Sequence, residues 1–376
     1  MKIAYCIAAT YNSGGMERVL ANKVNSLTAD GTECLIITTD QHGRKPFFDM
    51  DPRVCHIDLG IDYEANNGAS FFSKLINYPL RQLRHRQRLR AVLEREKPDI
   101  TVSMFCNEAS LLPAIKAGGR KLLEVHFSRF KRLQYGRKGL WALADRWRSR
   151  RDLQTARRYD RFVVLTEEDR GYWRDVDNIE AIPNAVSFEC PVPAPLTSRK
   201  VLAVGRLSRQ KGFDRLIDAW AIAVRDNPGW TLEIVGSGEL AEQIKRQIEA
   251  AGVTGSVVLT PSCSDMPAKY REASVLAMTS RYEGLPMALI EAQICGLPIV
   301  AMDCRCGPRD VVSDGRSGFI VTDGDTAAFA SRLSRLMSDD ALRLDMGRHA
   351  VEESRRFSAD RIMARWKTVF NELLSR

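Results

Sequence analysis

Short apolar runs alternate along this chain with amphipathic stretches, and the two kinds follow each other in a repeating order. KIAYCIAAT (2–10) reads as a strand. A Gly-Gly turn follows, then a helix-period stretch that ends near Gly31, then a second strand, CLIITTD (34–40). VCHIDLG (54–60) is a further strand, and a polar loop, DYEANNGAS (62–70), comes after it. The pattern predicts a basic helix over 80–96, closed by Pro98, and a strand over 99–105 whose end, CNEAS, opens another helix. KLLEVHFS (121–128) and RFVVLTEED (161–169) are strands, the latter running into Thr166 as a helix N-cap. IEAIPNAV (179–186) closes the first half, and CPVPAPL (190–196) has the proline content of a linker.

The order then restarts. VLAVGRLSRQKGFDRLIDAWAIA is strand, loop, helix. TLEIVGSGELAEQI (231–244), SVVLTPSCSD (256–265), ASVLAMTS and FIVTDGDTAAFASRL supply more strands, turns and helices. Strand, Gly-rich turn, helix, strand is the opening of a doubly wound parallel sheet. Two such series predict an α/β protein of two Rossmann-like domains, over 1–186 and 187–359. A last helix, 360–376, carries Ile362, Trp366, Phe370 and Leu373 at helical spacing.

A length of 376 residues suits two cores rather than one, and 44% hydrophobic with 27% charged residues is ordinary for a globular protein. No apolar run is long enough for a membrane span. The N-terminus reads as a strand rather than a leader, which gives a cytoplasmic protein. Nine scattered cysteines without a C-x-x-C predict reduced thiols and no structural metal.

The net charge of +9 is unevenly placed. Residues 129–161 hold twelve Lys/Arg against three acids, with Phe130, Leu133, Leu140, Trp141, Leu143 and Trp147 interleaved. RQLRHRQRLR (81–90) adds five arginines. Arg beside Trp suits an anionic membrane surface, and a solvated basic face on a core-packed helix is the other reading. No helix-turn-helix, RNP-type or zinc pattern points to nucleic acid.

Candidate chemistry concentrates in SRYEGLPMALIEAQICGLPIVAMDCRCGPRDVVSDGRSG (280–318). Glu283 and Glu291 stand eight positions apart, flanking a turn, Gly284-Leu285-Pro286, into a helix that starts near Pro286. Glu283 then precedes the helix and Glu291 lies within it. The free amides of Met287, Ala288 and Leu289 make its start an anion site. A plain helix cap and a solvated acid remain the alternative. Arg206 and Lys211 flank the loop opened by Gly205, as a diphosphate would require or as solvated cations would also stand. Gly14 and Gly15 either admit a ligand to the backbone or make a tight turn only. His126, at a strand end, is a ligand contact or a core histidine. Gly236-x-Gly238-x-x-Ala241 is a weak dinucleotide fingerprint, and Asp325 of the DGD turn is better read as an N-cap than as a metal ligand.

The 280–318 run resembles the donor-site signature of family 4 of the retaining glycosyltransferases, which have the GT-B fold: two Rossmann-like domains facing a cleft. The resemblance implies that Glu283 meets hydroxyls of the transferred sugar and Glu291 the ribose. It makes GRL…KG a pyrophosphate clamp through Gly205, Arg206 and Lys211, with Gly284 to Ala288 on the phosphates and His126 on the sugar. It places the base against the loop holding Ser262, Gly14 and Gly15 across the cleft, and the 360–376 helix back on the first domain.

The expected reaction is metal-independent, cofactor-free transfer of a hexose or N-acetylhexosamine from a UDP-sugar, with retention. The expected acceptor is a hydroxyl of a lipid-linked or envelope glycan, met at the inner face of the plasma membrane through 81–90 and 129–161. The rivals are a nucleotide-sugar epimerase, a non-catalytic binding module and, on the 236–241 glycines alone, an NAD-dependent oxidoreductase.

Overall fold

The computed structural model describes residues 1–66, 71–134, 139–263 and 265–375. The chain divides into two compact units, Met1–Ser187 with Asp360–Arg376, and Phe188–Ala359.

The first unit is built on seven parallel strands: β1 (Lys2–Ile7), β2 (Glu33–Thr38), β3 (Cys55–Asp58), β4 (Ile100–Ser103), β5 (Arg120–Glu124), β6 (Arg161–Val164) and β7 (Ile179–Ala181). Their order is β3-β2-β1-β4-β5-β6-β7. Both faces of the sheet are covered, so alternate residues of one strand feed different cores. Ile3, Tyr5 and Ile7 pack with Leu20, Val24 and Leu27 of the Gly15–Ala29 helix. Ala4 and Cys6 face Leu89, Val92 and Leu93 on the other side. Ile362, Trp366, Phe370 and Leu373 of the Ala359–Leu374 helix join the first of these cores.

Three elements depart from expectation. The basic helix runs Phe71–Glu96 with Pro79 inside it, so it begins nine residues before the predicted start at 80. Pro79 removes one backbone hydrogen bond, and buried Leu89, Val92 and Leu93 anchor the later turns. CNEAS opens no α-helix. Glu108 Oε1 accepts from Ser103 Oγ at 2.6 Å and from the Cys106 N–H at 3.1 Å. That local side-chain turn competes with helix, and only a 3-10 turn, Leu112–Ala114, follows. β5 ends at Glu124, two residues short of His126. Thr166 is an N-cap, accepting from the Asp169 N–H.

The second unit has six parallel strands: β8 (Lys200–Val204), β9 (Thr231–Val235), β10 (Val257–Thr260), β11 (Val275–Met278), β12 (Ile299–Asp303) and β13 (Gly318–Thr322). The order is β10-β9-β8-β11-β12-β13. β8 pairs with β11, so the winding reverses between them. Crevices at such reversals, outside the carboxyl ends of the strands, are where open α/β sheets bind ligands.

Candidate active site

The loops that leave β8 and β11 are stapled together at that reversal. The Arg281 N–H donates to Gln210 O at 2.8 Å, Gln210 Nε2 to Tyr282 O at 3.0 Å, and Thr279 Oγ1 to Gly212 O at 2.9 Å. Arg281 also forks onto Asp214. Gly212 takes φ +65°, and a Cβ there would stand 2.2 Å from Thr279 O, so only glycine fits between the loops.

This stapling brings Lys211 to Glu283. Nζ donates to Oε1 at 2.7 Å, with side-chain exposures of 23% and 7%. The Lys211 stem lies over Gly205, whose hypothetical Cβ would be 3.0 Å from Cδ and Cε. Glu283 is therefore no helix cap; it is an acid held under a loop lysine. Its own N–H donates to Arg305 O at 3.2 Å, tying it to the turn after β12. Arg206 is exposed on the same loop. Ser280, fully buried beside this pair, has a hydroxyl with no hydrogen-bond partner among the described residues.

The following helix spans Met287–Ile294, with Pro286 at the N-cap rather than the first helical position. Gly307, at φ +101°, packs on Pro286, and a Cβ there would meet the proline ring at 2.3 Å. The Leu289 N–H is not free, contrary to expectation: it donates to Pro286 O at 3.0 Å, a tightened first turn. Met287 and Ala288 keep the amides that a helix start leaves without intrahelical partners. Glu291 accepts from Tyr270 Oη at 2.7 Å and is half-buried, so it is more than a solvated residue. Tyr270 is itself buried and stacks on Phe188.

Ser262, exposed after β10, approaches Ser237 after β9 with both N–H and Oγ at 3.3 Å from Ser237 Oγ. Gly236 and Gly238 have a packing reason to be glycine. A Cβ would stand 1.9 Å from Gly205 O at the first and 2.4 Å from Leu207 O at the second. The fingerprint-like spacing thus serves the fit of one loop on its neighbour. Asp325 caps the Thr326–Ser338 helix, and Asp323 pairs with Arg215 at 2.6 Å, so the DGD turn is engaged internally.

Gly14, Gly15 and His126 belong to the first unit. Gly14 is the N-cap of the Gly15–Ala29 helix, and a Cβ there would meet Glu17 Oε2 at 2.2 Å; Gly15 has open space. His126 lies just beyond β5, its side chain 7% exposed, with Nε2 3.0 Å from Glu124 Oε1. Lys23 donates to that same oxygen at 2.5 Å. Neither Lys23 nor Glu124 stood out in the sequence, although Lys23 falls at i+3 from Leu20 on the helix's buried face, where a lysine is unusual. Asp40, His42 and Asp62 bring three possible ligand atoms within 4.8 Å of one another near the end of β2. Asp40 there already accepts from Thr39 Oγ1 and the Glu64 N–H.

Residues 13–189 match the family model described as Glycosyltransferase Family 4, and residues 191–353 match Glycosyl transferases group 1. The chain is a glycosyltransferase of the GT-B fold class. Its similarity to an uncharacterized glycosyltransferase of Haemophilus influenzae is 28% identity over 98% of this chain and 99% of the relative. The amylovoran biosynthesis glycosyltransferase AmsD of Erwinia amylovora is 33% identical over 56% of this chain and 62% of its own length. The solved structure of S. aureus TarM in complex with UDP and α-GlcNAc-glycerol superposes with a TM-score of 0.75 at 17% identity, covering 98% of this chain and 99% of that one.

Proposed function

We propose that the chain moves a hexose or N-acetylhexosamine from a UDP-sugar to a hydroxyl of a lipid-linked or envelope-glycan acceptor, with retention and without a metal. The second unit takes the donor and the first the acceptor. The observation that carries this is the Lys211–Glu283 pair at the β8/β11 reversal, beside exposed Arg206 and the start of the Met287–Ile294 helix. Without ligand, Glu283 neutralises Lys211. An arriving diphosphate offers the ammonium more negative charge than one carboxylate does, and drawing Lys211 away leaves Glu283 oxygens to accept from sugar hydroxyls. As the glycosidic bond breaks, charge grows on the leaving phosphate. Arg206, Lys211 and the helix amides are already aimed at it, a role a divalent cation fills elsewhere.

Glu291, steadied by Tyr270, receives the ribose hydroxyls. No side chain in this loop set is arranged as a covalent nucleophile, and retention is assigned to front-face attack. The UDP donor is supported by the UDP in the TarM complex, and the envelope-glycan acceptor by the AmsD likeness. The basic surface of the first unit supports contact with the inner face of the plasma membrane from the cytoplasm. Exposed Tyr78, Leu80 and Leu83 on one helix and Leu143 and Trp147 on another stand among arginines.

A panel of UDP-, GDP- and TDP-sugars read by thermal shift, then by nucleotide release with and without EDTA, tests the proposal. Stabilisation by a UDP-sugar and EDTA-insensitive turnover are expected. Interconversion of the donor sugar without acceptor would turn the assignment to an epimerase, and binding without release to a non-catalytic module.

A further inference from the structure

The first unit holds an ion pair inside its core that the reaction above leaves unused. Lys23, on the Gly15–Ala29 helix, and Glu124, the last residue of β5, have side chains only 4% and 1% exposed. Lys23 Nζ also lies 3.5 Å from the ring centroid of Trp366 on the Ala359–Leu374 helix. Burying two such ions costs on the order of several kcal/mol each before their attraction is counted, so a merely structural pair is a poor stabiliser. Burial raises the Glu124 carboxyl, but Lys23 and His126 outweigh it and hold the group at about 2. Burial pulls the Lys23 ammonium down against the pull of Glu124.

Two features aim this pair at His126. Its Nε2 stands 3.0 Å from the Glu124 oxygen that Lys23 holds, near enough for a charge contact though outside good hydrogen-bond alignment. His126 Nδ1 and Glu124 Oε2 are buried with no hydrogen-bond partner among the described residues, and so is the Tyr5 hydroxyl, which feels the Glu124 charge from β1. A nitrogen lone pair facing a carboxylate at this range is repelled, whereas an N–H is attracted.

We propose that Glu124, anchored by Lys23, is a positioning residue for His126: it holds the ring beyond β5 and keeps the neutral ring's proton on Nε2, leaving Nδ1 to accept from a sugar hydroxyl. This rests on the donor chemistry proposed above. The Lys23–Glu124–His126 line also joins the C-terminal helix, through Trp366, to the rim of the sheet.

The test uses the full chain with 15N-labelled histidine, five rings in all, observed at alkaline pH. His126 is assigned by the signal lost in His126→Asn. The wild type should show the Nε2–H tautomer. Lys23→Met/Glu124→Leu removes both charges together, so neither is stranded, and should lose that preference. Glu124→Gln should lower kcat for UDP release by about tenfold or more, with the donor KM within about twofold, the size of effect typical of partners that orient a histidine.

A wild-type Nδ1–H tautomer overturns the proposal, even if neither variant folds. So does a Glu124→Gln enzyme with unchanged kcat, or a His126→Asn enzyme with unchanged turnover, since Glu124 would then have nothing to position. If the wild type binds no UDP-sugar, the donor assignment fails, while the tautomer still decides what Glu124 does to the ring.

Discussion

Arg206 and Lys211 share a loop but not an environment, and their substitutions should separate catalysis from stability. Arg206 is exposed, whereas Lys211 is the partner of a carboxylate only 7% exposed. Either alanine variant should cut turnover by about a hundredfold or more, the scale of losing one aimed charge in a transition state. Arg206→Ala should leave the melting temperature in place. Lys211→Ala should lower it, because Glu283 is left charged and unpaired. Melting curves beside nucleotide-release kinetics check this, and wild-type kinetics in Arg206→Ala would remove the clamp.

Glu233 gives a pH prediction of the same kind. Burial raises its carboxyl, but Lys269 at 2.7 Å, Thr260 at 2.8 Å and Lys200 at 3.1 Å outweigh it and hold it at about 2. A carboxyl lowered on folding stabilises above its unfolded value and loses that contribution as pH falls through its folded value. The urea midpoint of the second unit should therefore drop between about pH 4.5 and pH 2. The drop should be smaller in Glu233→Gln. Equal drops in both chains would mean that other carboxylates govern acid unfolding.

Among elements, strands were the most legible, because an apolar run buried on both faces has few other fates. Every run read as a strand holds one, usually trimmed at the ends. Helices fared unevenly where a side chain or a proline altered the local contest. Glu108 turned CNEAS away from α-helix, and Pro79 was absorbed into a helix by packing that lies a turn or more beyond it. The position of the Met287–Ile294 helix could be read to within one residue, but its tightened first turn could not. That turn depends on Gly307 closing over Pro286, a contact made across twenty-one positions of sequence. Loop pairing was likewise hidden. That Lys211 meets Glu283 follows from β8 lying beside β11 and from Gly212 fitting under Thr279, neither of which any motif encodes. Gly212→Ala should accordingly destabilise the second unit by about 1 kcal/mol or more, through both its positive φ and the clash. It should also weaken UDP binding by separating the two loops. Calorimetry of melting and of UDP binding would show it, and a variant with lowered stability but native affinity would mean that the loops hold together by other contacts.

At the scale of the whole molecule, the basic charge read as two separate stretches becomes one surface of the first unit. Tyr78, near the middle of the Phe71–Glu96 helix, feels the charges of Arg132, Arg148 and Arg151 from the other stretch. The expected shared face of Leu140, Leu143 and Trp147 is only partly accessible, since the side chains of Leu133, Leu140 and Trp141 lie outside the described residues, as does part of the 62–70 loop. Leu143 and Trp147 are 59% and 57% exposed, and Arg151 lies 4.7 Å from the Trp147 ring. Core packing therefore does not account for these two apolar side chains, and a solvated basic face gives no reason for them. No helix among the described residues is long and apolar enough to cross a membrane. Contact would be peripheral: Arg on anionic head groups, Trp and Leu at the interface. Co-sedimentation with vesicles should then rise with the fraction of anionic lipid and fall with salt, since each basic side chain near the surface contributes about 1 kcal/mol within a Debye length. Leu143→Ser/Trp147→Ser should weaken binding at any salt concentration, because it removes the apolar share and leaves the charge. Wild-type binding in that variant would make the surface purely electrostatic, and no binding by the wild type at low salt would take the membrane out of the acceptor assignment.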